Sequence, residues 1–147
     1  MSDEAVSGEA VPEQAGKSAL DRTIATIRSM LEITAANPKW INRNRAICVQ
    51  YEFPGEDGVR SYATRIDRDR WELIEGAVPD DECDVIVTAS AETLYGILQG
   101  DLGGREAMVS GRMDLRKAPS VRNLLVMRAM FNMYTKSVQR AEAAARP

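Results

Sequence analysis

The sequence predicts an α+β domain in which a five-stranded, mostly antiparallel sheet is covered by helices. Three observations carry this. Apolar residues recur with a helical period near residue 20 and again after residue 120, a block between them alternates with period two, and turn residues cut that block into short pieces. With 147 residues, 44% hydrophobic and 28% charged, the composition is that of one ordinary globular domain.

Residues 1–17 mix Ser, Gly, Pro and acids without periodicity, so a disordered acidic tail is expected there. The domain is expected over 18–140, followed by a frayed tail at 141–147. Ser18 stands as an N-cap with Asp21 in the first turn, and Leu20, Ile24, Ile27 and Leu31 form one helical stripe. Asn37-Pro38 should end that helix, because the residue before proline is pushed out of the helical region. From Arg45 the period becomes two: Ile47, Val49, Tyr51 and Phe53 point one way, Cys48, Gln50 and Glu52 the other. The turn PGEDG (54–58) and the run VRSYATRID complete a hairpin, and RWELIEGAV follows as a third strand. CDVIVTAS is apolar on both faces, the pattern of a strand covered on both sides.

Helical spacing then returns. Ser90 caps ETLYGILQG, with Leu94, Ile97 and Leu98 on one face, and REAMVS makes a second short helix or turn. RMDLRKA reads as a fifth strand with Met113 and Leu115 on one face and Arg112, Asp114 and Arg116 on the other. Ala118-Pro119-Ser120 opens a last helix, on which Val121, Leu124, Leu125, Met127, Phe131, Tyr134 and Val138 cover a broad apolar arc.

Composition narrows function by exclusion. The formal charge of -3 argues against a nucleic-acid binder that works by phosphate neutralisation. Seven basic residues against one acid between Arg112 and Arg140 suit transient contact with a membrane surface, although such a stretch is more often a solvated helix face. The chain has no histidine, which removes His-based acid–base catalysis and the common nucleophile–base couples. Cys48 and Cys83 fall in apolar runs and are expected to be buried, reduced thiols. Asp80-Asp81-Glu82 reads as a solvated turn rather than an acid–base pair. No apolar run approaches about 18 residues and the start is acidic and polar, so a cytoplasmic location is expected.

The stretch GILQGDLGGREAMVSG, Gly96 to Gly111, holds five of the ten glycines. It lacks the Gly-Lys-Ser/Thr of a phosphate loop and the G-x-G-x-x-G of a dinucleotide site, and it follows a helix instead of a strand. Gly100 and Gly111 instead sit where a helix is stopped by a residue with positive φ. Two short helices folded back beside a Met-rich helix leave room for an apolar cavity against the sheet.

The run CDVIVTASAETLYGILQGDLGGREAMVSGRMDL resembles the sterol carrier protein type-2 family of small lipid-binding domains. Asp84, Ser90, Leu94, Gly100, Ala107, Gly111 and Met113 occupy the matching places. Where members often continue with Gly-Asp after the fifth strand, this chain reads RKAPS, and its last helix is longer and more basic. The resemblance implies a five-stranded sheet covered by helices, an apolar tunnel between them, and a sterol, fatty acid or acyl-CoA ligand without catalysis or cofactor. On that reading Leu94, Ile97, Leu98, Met108, Met113, Leu115, Leu124, Leu125, Met127 and Phe131 line the tunnel, and Arg116, Lys117 or Arg122 meets an anionic head at its mouth. The alternative is a filled, ligand-free module that forms a homodimer or docks on an enzyme through Met127, Met130, Met133 and Tyr134 of the last helix.

Overall fold

The computed structural model describes residues 18–146; the tail expected at 1–17 lies outside the described residues. The chain runs α1 (Ala19–Ala35), α2 (Pro38–Asn42), β1 (Ala46–Gly55), β2 (Gly58–Asp67), β3 (Arg70–Glu75), a 3-10 turn (Asp80–Glu82), β4 (Val85–Ala89), α3 (Ala91–Leu98), α4 (Gly104–Val109), β5 (Met113–Lys117) and α5 (Val121–Ala145). The last helix thus continues past residue 140, through exposed residues, to Ala145.

Helix starts are set by side-chain caps. The Ser18 hydroxyl accepts from the Asp21 amide at 3.0 Å, Ser90 from Thr93 at 3.1 Å and Ser120 from Asn123 at 3.1 Å. The Asn37-Pro38 stop proves to be a restart as well. Asn37 accepts from the Lys39 amide, and Pro38 takes the first helical position, where a missing N–H costs nothing. The short helix that results carries Trp40, fully buried, into the core.

The sheet order is β3-β2-β1-β4-β5. Consecutive strands β1, β2 and β3 form antiparallel hairpins, and β4 pairs antiparallel with β5. β4 returns to the far side of β1 and lies parallel to it, so the sheet is mixed but mostly antiparallel. Ile47, Val49, Tyr51 and Phe53 of β1 join Val85 and Val87 of β4 and residues of α1, α3 and α5 in the main core. On the opposite face Cys48, Cys83 and Ile86 form a small cluster under Val78. Buried Gln50 secures that covering segment by accepting from the Val78 amide at 2.9 Å. This is why β4 reads apolar on both faces. Both thiols are free and buried, and burial pushes the Cys83 thiol up to about 11.

Candidate functional site: an apolar cavity beneath three helices

The glycine stretch builds one wall of the site. Gly100 and Gly111 have φ of +84° and +80°, conformations open to glycine at little cost, and they end α3 and α4. Gly96 carries the close fold-back: its carbonyl accepts from the amides of Asp101 and Leu102, and the Leu102 side chain lies against it. Gly103 and Gly104 have a plainer role, standing at the cap and first position of α4 with ordinary φ.

Between these short helices, α5 and the sheet lies a cavity of about 560 Å³. Its floor is Val49 and Tyr51 of β1, Val87 of β4, and Met113 and Leu115 of β5. Its walls are Leu94, Ile97 and Leu98 of α3, Met108 and Val109 of α4, and Leu124, Met127, Met130 and Phe131 of α5. The size is within the usual range of about 300–1,000 Å³ for small-molecule sites. Met113, Leu115, Met127 and Phe131 pack on the core yet remain half-buried, so part of their surface faces this space.

Nine of the ten residues expected to line a tunnel do line this cavity; Leu125 does not. It is 57% exposed, one residue beyond Leu124 and turned out of the wall. Of the lining residues that the sequence reading passed over on the sheet, Val49 and Tyr51 were on the alternating face of β1 already marked, and Val87 was in the strand read as covered on both sides. What was missing was which part of that face stays uncovered.

Of the three cations expected at the mouth, Arg116 and Lys117 are on the other side of the sheet. β5 is bulged opposite Ile86 and Val87: Lys117 pairs with Ile86 and Leu115 with Val87, leaving Arg116 as the extra residue. Arg116 already alternates away from Met113 and Leu115, which face the cavity, and the bulge turns Lys117 to the same outer side by setting it opposite Ile86. Arg116 spans the outer side of the sheet to Glu52 at 2.7 Å and to Asp80 at 2.7 Å, and Lys117 donates to the Asp80 carbonyl at 3.0 Å. The Arg116 guanidinium holds the Glu52 carboxyl below the usual carboxylate range, with Thr88 and Gln50 adding hydrogen bonds. Asp80 is lowered by the same guanidinium. The acidic turn is therefore exposed, as expected, but serves as an anchor for β5. Arg122 is exposed on α5 and does not line the cavity.

The cations that do line it are Arg105 and Arg128. Helical spacing was the available signal: Arg105 precedes Met108 by three and Arg128 follows Leu124 by four, so each shares a face with a residue already assigned to the wall. Among the described residues, Tyr51 is the remaining polar side chain in contact with the cavity. Burial pushes its phenol up to about 12, so it is neutral. A second groove, of about 630 Å³, lies between the α1–α2 corner and α5 beside Lys39, Lys136 and Arg140.

The face of α5 expected to meet a partner is also corrected. Met130 is buried, and Met127, Met133 and Tyr134 pack against the same core.

No family model and no curated protein matches the sequence. Solved structures do. The sterol carrier protein-2 of Aedes aegypti in complex with C16 fatty acid (palmitate) aligns with a TM-score of 0.57 and 16% identity, over 80% of this chain and 97% of that one. Palmitated SCP2L2 from Aedes aegypti aligns at 0.52 and 20% identity over 76% and 92%. The apo form of sterol carrier protein 2 from Yarrowia lipolytica aligns at 0.50 and 12% identity, over 74% and 88%. At these identities the likeness is one of architecture, and the chain has the sterol carrier protein 2 fold.

Proposed function

We propose that this protein binds a lipid without chemical conversion, its apolar part held between the sheet and helices α3–α5. The carrying observation is a cavity of about 560 Å³ whose charged lining, among the described residues, is Arg105 and Arg128. Transfer of a methylene from water to such a lining gains about 0.8 kcal/mol, so a long chain needs no specific polar contact to be held. The two guanidinium groups suit an anionic end such as a carboxylate, with charge-assisted hydrogen bonds. A fatty acid, a fatty acyl thioester or a sterol is therefore the ligand class. Two similar folds carry palmitate, which supports the first of these.

The reading is of binding alone because, among the described residues, Tyr51, Arg105 and Arg128 are the polar side chains in contact with the cavity, and none is poised as a nucleophile or base. Titration of the protein with a fluorescent C16 fatty acid, displaced by unlabelled palmitate, tests the proposal. Saturable one-to-one binding that weakens in Arg105→Gln/Arg128→Gln is expected. Absence of saturable binding overturns it.

A further inference from the structure

Among the described residues, six large hydrophobic side chains are exposed, and five of them sit together at one corner: Met108, Val109, Val121, Leu124 and Leu125. Val109 and Val121 are 81% and 77% exposed. Their places in the chain explain the clustering. Met108 and Val109 end α4, while Val121, Leu124 and Leu125 form the first turns of α5 at spacings of three and four, one stripe of that helix. The corner is continuous with the cavity, since Met108, Val109 and Leu124 are at once exposed and part of its wall. An apolar surface thus runs unbroken from the floor of the cavity to the outside.

Cations are interleaved with it. Arg128 extends the Val121–Leu124–Leu125 stripe by one more turn, Arg105 lies one turn before Met108, and Arg122 follows Val121. Among the described residues none of these three is in an ion pair, and the corner's one acid, Glu106, is opposed by Arg112 at 3.7 Å. Apolar residues flanked by unpaired guanidinium groups match a lipid–water interface, where side chains reach the acyl boundary while cations meet anionic head groups.

We propose that this corner, the C-terminal end of α4 with the first two turns of α5, docks on an anionic lipid bilayer and sets the cavity mouth against it. Charge decides between a bilayer and a second copy of the chain. A two-fold pairing brings the same patch against itself, and here it opposes three unpaired guanidinium groups with three more. An anionic bilayer neutralises them. The proposal shares with the ligand reading only the position of the cavity mouth, and vesicle binding is measured with no ligand in the cavity.

The experiment is co-sedimentation of the full, delipidated chain with phosphatidylcholine vesicles and with vesicles that also contain phosphatidylserine. Binding to the anionic vesicles alone, falling with added salt, is expected. Val121→Asp should weaken it about tenfold or more and Arg122→Glu by a similar factor, since each cation near such a surface is worth roughly fivefold and the second change reverses a charge. Neither residue lines the cavity, so fluorescent fatty acid affinity should stay at the parent level in both. An acid in the first turn of a helix is favourable, which keeps Val121→Asp folded. Failure of the parent to bind anionic vesicles, or parent-level vesicle binding by both variants, overturns the proposal. So does a dimer in light scattering that Val121→Asp dissociates, which would assign the corner to a second copy.

Discussion

Leu115→Trp should move stability and ligand affinity in opposite directions. Leu115 lies on the edge strand β5, opposite Val87, and is half-buried with its free surface toward the cavity. In a packed core, enlarging a side chain this much typically costs 1–3 kcal/mol through strain. Here the indole has about 560 Å³ to enter, and an aromatic residue suits a strand. Burying roughly 60 Å² more apolar surface at about 25 cal/mol per Å² should stabilise the unliganded protein by about 1.5 kcal/mol. The same indole displaces roughly two to three methylenes of a bound chain, about 2 kcal/mol, or about a thirtyfold rise in Kd. Denaturant melts of delipidated protein and a fluorescent fatty acid titration read the two effects. A variant that is destabilised while its affinity is unchanged would mean that the space beside Leu115 is already filled, and the reasoning would fail.

Three further outcomes follow from the two faces of the sheet. Arg116→Gln should leave ligand affinity at the parent level, since Arg116 is engaged with Glu52 and Asp80 away from the cavity; a large loss of affinity would restore it to the mouth. Its stability cost should be present at neutral pH and shrink as pH falls below about 4.5, because the depressed Glu52 carboxyl contributes only while ionised in the folded state. Tyr51, raised to about 12 from an ordinary 10, contributes stability that is present below pH 10 and lost as pH rises toward 12. This amounts to about 2–3 kcal/mol, and urea melts across that range should show it in the parent but not in Tyr51→Phe. Met130→Asp should destabilise by at least about 3 kcal/mol in chemical denaturation, as expected of an unpaired charge in the core and not of a change at a partner surface.

The parts of the fold that could be read ahead of the structure were those fixed locally. Ser18, Ser90 and Ser120 cap the helices as their hydroxyls and positions require, and Gly100 and Gly111 take the positive φ that their placement after short apolar runs implied. The alternation from Ile47 to Phe53 marked the inner face of β1. What escaped reading depended on contacts distant in sequence. The parallel pairing of β4 with β1 follows from where the chain crosses after β3, which no local pattern records. The bulge at Arg116 inserts one residue against β4, and from β5 alone an unbroken alternation is just as consistent. That single insertion turns Lys117, which unbroken alternation places with Met113 and Leu115, to the outer face beside Arg116. On α5 the apolar arc is broad enough to supply both core and surface, so spacing could not distinguish buried Val126 and Met130 from exposed Val121 and Leu125. Neighbouring helices made that choice: α1 covers one part of the arc, and the cavity leaves another uncovered.

The central claim is that the space between sheet and helices is a lipid site and not an unfilled seam in the packing. A native mass spectrum of the full chain, purified without delipidation and then again after delipidation and incubation with palmitate, tests this most directly. The account predicts a species heavier than the bare chain by one lipid before delipidation, its loss on extraction, and its replacement by a one-to-one palmitate adduct. The bare chain in all three spectra would contradict it.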